Sequence, residues 1–269
     1  MGRLPLSATV ICRNEEACIG ACLESLADCA QIVVVDSGST DRTLAIVADF
    51  SARGFPIELH HRDWPGYARQ KQFALDQARE SWVLSIDADE WLDPLLRADL
   101  PHLLQAPEEV AGWRLPRALT LFGETAPPPP AVKPDPILRL ARRGRARFDE
   151  NVLVHEGLVV EGEVRDAKRG LLRHERGLRL DAQLPKEILY ARLKAEQRIA
   201  AGRKPSLLKL VFNPPLYFFR IFFARRVFLC GAPGFIHAMT GALYSFIAEA
   251  LHFQMARESR NSIARDENA

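Results

Sequence analysis

Two apolar runs that each stop at an aspartate constrain this chain more than any other feature. Ile32-Val33-Val34-Val35 runs into Asp36, and Trp82-Val83-Leu84-Ser85-Ile86 runs into Asp87. A short apolar run with little or no alternation is the pattern of a strand buried on both faces, which a parallel sheet provides. Further strands are expected at 7–12 and 57–61, and helices at 16–26, from 41 onward and at 66–78. Ser37-Gly38-Ser39-Thr40 reads as a turn, with Thr40 as the cap of the helix that follows. The repeated β-α order predicts a Rossmann-like α/β fold, a mostly parallel sheet flanked by helices. Right-handed crossovers then put ligands at the carboxyl ends of the strands. Asp36 and Asp87 are therefore expected to face one crevice.

The chemistry concentrates in Ile86-Asp87-Ala88-Asp89-Glu90-Trp91. Residues two apart at a strand end share a direction, so two carboxylates would converge. Left alone they would repel, and one would take up a proton. A divalent cation removes that conflict, and hard oxygen ligands suit Mg²⁺ or Mn²⁺. Such a cation could bridge a diphosphate and neutralise it as it leaves. The competing reading is a solvated acidic turn leading to a helix capped at Asp93-Pro94. Val35-Asp36-Ser37-Gly38-Ser39-Thr40-Asp41 offers a carboxylate for a nucleoside and a glycine for close backbone approach. It is not G-x-G-x-x-G, which argues against a nicotinamide enzyme.

Four motifs in order, Ile11-Cys12-Arg13-Asn14-Glu15-Glu16, Val33 through Thr43, Trp64 through Gln72, and Asp87-Ala88-Asp89-Glu90, make the chain resemble a family 2 glycosyltransferase. More narrowly, it is similar to the lipopolysaccharide core biosynthesis β-1,4-glucosyltransferase branch. Val154-His155-Glu156 and a Phe- and Arg-rich carboxyl end extend the likeness. The resemblance implies a GT-A fold, a nucleotide-diphosphate-sugar donor such as UDP-glucose, a divalent metal and inversion at the anomeric carbon. It implies that Asp36 contacts the nucleoside, with Arg13, Glu15, Arg69 and Lys71 near the nucleotide. Asp87 and Asp89 would serve ribose and metal, and His174 would complete the metal shell, with His155 as the alternative. An inverting transfer needs a base for the acceptor hydroxyl, and Glu156 holds the family's position. The acceptor implied is a membrane-linked saccharide.

The remaining segments are less regular. Pro127 to Pro130, Pro134 and Pro136 predict an extended loop over 125–136. Arg139, Arg142, Arg143, Arg145 and Arg147 either grip phosphate or acidic sugar groups, or form a solvated face. A helix is expected over 185–201. Residues 227–248 form a charge-free run of 22 residues, long enough to span a bilayer, but Gly231, Pro233, Gly234 and Gly241 interrupt it. Short amphipathic or re-entrant helices in the membrane interface are the preferred reading, with Arg220, Arg225 and Arg226 on anionic headgroups. The expected division is a transferase domain at 1–205, membrane-associating helices at 206–256 and a polar tail at 257–269.

Composition narrows the alternatives. Lys+Arg 36 against Asp+Glu 34 gives a net charge of +2, too balanced for nucleic-acid binding. Five cysteines, four of them among the first thirty residues, fit a reducing compartment and buried small hydrophobes. Met1 to Leu6 leads almost directly into a strand with no apolar leader, so the enzyme is expected at the cytoplasmic face of the inner membrane. A nucleotidyltransferase would carry a glycine-rich loop where Arg13-Asn14-Glu15-Glu16 stands. A dehalogenase-like phosphatase would carry a hydroxyl residue where Trp91 stands. A non-catalytic nucleotide-sugar-binding or membrane scaffold is the reading from another class.

Overall fold

A computed structural model describes residues 2–121, 128–149, 157–176 and 180–266. The chain forms two compact units, Met1–Leu119 with Pro134–Glu175, and Thr120–Lys133 with Arg176–Ala269.

In the first unit, strands β1 (Leu4–Cys12), β2 (Cys29–Asp36), β3 (Ile57–His61) and β4 (Trp82–Asp87) alternate with helices α1 (Ile19–Ser25), α2 (Thr43–Ala52) and α3 (Tyr67–Asp76). The four strands pair in parallel in the order β3-β2-β1-β4. Period-two geometry sends alternate side chains to opposite faces. Val10, Ile32, Val34, Leu84 and Ile86 enter the main core with α1 and α2, whereas Val33, Val35 and Val83 meet the residues of α3. The unbroken apolar runs are thus explained: both faces of β2 and β4 are covered.

Beyond β4 the sheet turns antiparallel. A short β5 (Glu90–Leu92) and helix α4 (Pro94–Leu104) lead to β6 (Val110–Leu121) and β7 (Asp135–Arg142), and β7 lies between β4 and β6. β8 (Ala146–Phe148) and β9 (Leu158–Val160) form a separate pair, β10 (Glu163–Asp166) joins β6, and β11 (Leu172–Arg176) returns antiparallel to β5. The expected proline loop ends two residues early, because β7 begins at Asp135 and Pro136 already lies in it, opposite Pro116. Pro136 is tolerated there because β4 pairs with β7 at Leu140, Ala141 and Arg142, leaving the start of β7 without a β4 partner, while β6 has β11 on its other side.

Local capping differs from expectation in one place. Thr40 does not cap α2; Arg42 is the capping residue and Asp41 accepts from Thr43 N at 2.9 Å. The Asp41 carboxylate takes the Thr43 amide that a Thr40 cap would need, and the Thr40 hydroxyl is turned to Asn14 Oδ1 at 3.4 Å instead. Asp93 does cap α4, accepting from Leu96 N at 2.7 Å with Pro94 at the first helical position. All five cysteines are free thiols.

The second unit holds α5 (Leu180–Ala200), α6 (Leu207–Phe219) and α7 (Gly231–Asp266), with a π turn at Arg220–Ala224 and a 3₁₀ turn at Val227–Cys230. α5 begins earlier than expected, and it joins α7 rather than the sheet: Arg198 pairs with Glu249 at 3.1 Å and the Lys194 ammonium sits over the Tyr244 ring. α7 is one helix of 36 residues, not a set of short ones. Pro233 falls in its first turn, where its missing N–H costs nothing. Gly241 faces Tyr217 of α6 so closely that a Cβ would lie 2.3 Å from the ring, so this glycine is a close-approach site rather than a breaker.

Gly170 fixes how β11 returns to β5. Its φ is +70°, and a Cβ would fall 2.0 Å from Leu96 N and 2.6 Å from the capping Asp93 carboxylate. Left-handed backbone strain and a clash with main chain add. Gly170→Ala is expected to cost about 3 kcal/mol or more of stability, read as a lowered urea midpoint. An unchanged midpoint would show that this crossing does not hold the segment.

Candidate active site

Register places the two strand-end aspartates at one level. Asp36 pairs with Cys12, and Asp87 with the neighbouring Ile11, so the carboxylates flank the end of β1. With strands about 4.8 Å apart, their backbones stand about 10 Å from each other, a span suited to a nucleotide.

The loops above β1 and β2 are a single hydrogen-bonded body. Asn14 adopts φ +56° and receives Thr40 N, while its own N–H donates to Ser39 Oγ at 2.9 Å. Glu15 N donates to Thr43 Oγ1 at 2.8 Å, Glu16 N to Asp41 Oδ2 at 3.1 Å, and Glu16 Oε2 accepts from Arg42 N at 2.9 Å. Asp36 is buried and accepts from Gly38 N at 2.9 Å and from Ser39 N and Oγ. Burial alone would raise its pKa, but the Ser39 and Gly38 hydrogen bonds, with His61 nearby, hold it below the usual carboxylate range.

Asp87 sits in a buried charge cluster. Lys71 Nζ of α3 lies 2.7 Å from Oδ1, and Arg139 of β7 donates Nη2 to Oδ2. The same Nη2 reaches Glu90 Oε1 at 2.8 Å, Arg117 adds a contact to that oxygen at 3.4 Å, and Glu90 Oε2 accepts from Asp87 N at 3.2 Å. Glu90 is fully buried, and Lys71 and Arg139 nearly so. Burial opposes every one of these charges, but Arg139 and Lys71 together hold the Asp87 carboxyl well below its ordinary range. Likewise burial would lower Arg139, and Asp87 and Glu90 raise it instead.

Asp89 turns elsewhere. The antiparallel pairing of β5 with β11 sets His174 opposite Glu90, and His174 Nε2 stands 3.2 Å from Asp89 Oδ2. His174 Nδ1 is buried with no hydrogen-bond partner among the described residues, so Asp89 is the polar contact that orients the ring. The two carboxylates of the Asp-x-Asp motif do not converge as expected, because a turn at Ala88 and Asp89 separates them and each has its own partners. Among the described residues no group of three or more His, Cys, Asp and Glu side chains surrounds one point. The Asp89–His174 pair nonetheless fits a cation: two ligands about 2.1 Å from one ion and at right angles lie about 3 Å apart.

Comparison with known proteins decides the family. The chain is 49% identical over 252 residues to the lipopolysaccharide core biosynthesis glycosyltransferase LpsC of Rhizobium meliloti (strain 1021), covering 94% of this chain and 93% of that protein. The Glycosyl transferase family 2 model matches residues 7–126. The chain belongs to glycosyl transferase family 2. An uncharacterized glycosyltransferase of Rickettsia felis is 28% identical over 97% of this chain and 94% of its own length. Among solved structures, the mannosyltransferase PcManGT from Pyrobaculum calidifontis, in complex with GDP-Man and Mn²⁺, superposes with TM-score 0.53 at 16% identity, over 97% of this chain and 81% of that one. S. aureus TarS superposes with TM-score 0.50 at 15% identity, over 93% and 55%. The fold is therefore GT-A, and the nucleotidyltransferase and phosphatase alternatives fall away.

Within this glycosyltransferase the structure brings together Asp36, Lys71, Asp87, Asp89 and His174 at the strand ends. Arg13 is exposed beside Asn14, and Glu15 is half-buried at the loop lattice. Arg69 is exposed, and two residues along a helix it lies roughly opposite Lys71. Glu156 and His155 lie outside the described residues. The arginine group dissolves: Arg139 is buried in the charge cluster, Arg142 caps the carbonyls of Ala106, Pro107 and Val110 and covers Trp82, and Arg143 and Arg145 donate to the carbonyls of Glu80 and Glu108. Sequence reasoning missed Glu90, Arg117 and Gln70, whose Nε2 donates to Ser37 Oγ at 3.0 Å. A signal existed for Arg139, since a lone cation inside Ile137-Leu138-Arg139-Leu140-Ala141 must be paired if that strand is buried.

The lowered pKa values of Asp36 and Asp87 carry a pH consequence. Below the unfolded value of about 3.9 the unfolded chain binds the extra protons, so their stabilisation is complete above that pH and drains away as pH falls toward the folded values. The urea midpoint is expected to be flat for these groups from neutral pH to about pH 5 and to drop below about pH 4. Asp36→Asn should make that acid limb shallower, and an identical limb in the variant would remove Asp36 from the account.

Proposed function

We propose that the chain transfers a hexose, with inversion, from a nucleotide-diphosphate sugar to a saccharide of the lipopolysaccharide core, and that UDP-glucose is the donor. The observation that carries this reading is the placement of Asp89 against His174 at the end of β4, beside an Asp87 already neutralised by Lys71 and Arg139. Asp89 and His174 would hold Mg²⁺ or Mn²⁺, which usually keeps one or two protein ligands and completes its shell with substrate phosphates and water. When bound, that cation would offset the charge of the departing diphosphate. Asp36 and the latched loops would border the nucleoside, and Asp87 would accept from a donor hydroxyl. Glu156 is our candidate for the base that takes the acceptor proton during attack. The acceptor class is taken from LpsC, the 49% identical relative.

The second unit supports a membrane-surface location at the cytoplasmic face. Leu207–Ala224 and Val227–Glu258 are long and apolar enough to cross a bilayer, and only 6% and 33% of their most apolar windows is buried. Leu208, Phe212, Leu216 and Phe219 lie exposed along α6. From Gln197 to Ala248 the sequence has no Asp or Glu, whereas Arg198, Arg203, Lys204, Lys209, Arg220, Arg225 and Arg226 fall within it. That combination suits shallow burial among anionic headgroups.

Thermal melting with UDP, GDP and ADP, each with and without Mn²⁺, tests the donor reading. Ligand held by the native state must raise the melting temperature. UDP is expected to stabilise the wild type only with Mn²⁺, and Asp89→Ala and His174→Ala to lose the shift while remaining folded. A folded wild type that responds to no nucleotide would sink the reading and favour a scaffold. Flotation with vesicles containing phosphatidylglycerol tests the surface: binding should weaken as salt rises. Equal binding to neutral vesicles would remove the electrostatic part.

A further inference from the structure

The guanidinium of Arg139 stands behind the strand-end aspartate rather than in front of it. Its side chain is nearly inaccessible, so it meets no substrate. Nη2 is shared between Asp87 Oδ2 and Glu90 Oε1. Lys71 holds the other Asp87 oxygen, and the Asp87 amide donates to the second Glu90 oxygen. The carboxylate is thereby fixed from two sides, by α3 and by β7, while the residue's own amide anchors Glu90. About 29% of the Asp87 side chain remains open, and that edge is all it can offer a ligand.

We propose that Arg139 is a positioning residue of the transferase, which clamps the Asp87 carboxylate against Glu90 so that its open edge faces the donor. This rests on the reading of Asp87 as a donor contact. Two roles must be separated. Arg139 also neutralises Glu90, a fully buried carboxylate whose other cation, Arg117, stands farther off at 3.4 Å, and losing the close partner of a buried pair leaves the other charge poorly compensated. A simple loss of stability would therefore say nothing about positioning. Removing both charges separates the roles. In Arg139→Met with Glu90→Gln no stranded Glu90 remains, and Asp87 keeps Lys71 as its counter-ion, but the clamp on Oδ2 is gone. The geometry of Asp87 then depends on one contact instead of two, and misplacement by about 1 Å is enough to weaken a site of this kind.

The experiment compares wild type, Arg139→Met and the double variant by thermal melting, by calorimetric titration with UDP in saturating Mn²⁺, and by a crystal structure of the double variant. Arg139→Met is expected to melt well below wild type. The double variant should recover most of that loss yet bind UDP ten-fold or more weakly, with the Asp87 carboxylate rotated out of its wild-type position. UDP affinity within two-fold of wild type in the double variant overturns the proposal, leaving Arg139 as the counter-ion of Glu90 only. An Asp87 carboxylate that stays in place in the crystal overturns it too. If wild type itself binds no UDP, the donor reading fails, and the crystal structure still decides whether Arg139 sets the position of Asp87.

Discussion

Carboxylates held away from water at a strand end are costly unless cations come to meet them. Here Asp87 and Glu90 draw Lys71 from α3, Arg139 from β7 and Arg117 from β6 into one cluster. These elements come from the parallel half of the sheet and from the antiparallel extension. The cluster ties the two halves at the end of β4. It also divides the acidic motif, because Asp87 is held by two cations. Asp89 is half-buried and faces the His174 imidazole instead.

Much of this was legible in the sequence because it follows from local pattern. Ile32 to Asp36 and Trp82 to Asp87 could only be buried strands with an acid at the carboxyl end, and from that the crevice follows. His174 was chosen by order along the chain; it stands opposite Glu90, with its ring against Asp89. What escaped reading depends on long-range pairing. Nothing near Arg139 says that Glu90 lies beside it, 49 residues away in sequence. The five arginines from 139 to 147 looked alike as letters, but β7 alternates, so one points into the cluster and others settle on carbonyls. Thr40 was read as a cap because a threonine before a helix usually is one; Asn14, 26 residues earlier, holds its hydroxyl, and Asp41 takes the Thr43 amide.

The helices of the second unit show the same division. Gly231, Pro233, Gly234 and Gly241 argue locally against a long helix. Tertiary contact reverses the argument, since Gly241 makes room for Tyr217 and Gly234 for the carbonyl of Val227. Small residues here set the distance between neighbouring chain segments. Polar groups then hold the arrangement: Glu249 of α7 accepts from Asn213 of α6 and pairs with Arg198 of α5.

The uncovered start of β7 has a consequence of its own. Before Leu140 the outer edge of β7 has no β4 partner, and an unpaired strand edge is a template on which another extended chain can grow. Pro136 lies on that stretch, facing Pro116 of β6, and lacks an amide donor. Where β4 leaves β7 uncovered, a proline at 136 blunts the edge against other copies of the chain, whose solubility at high concentration would rest in part on that residue.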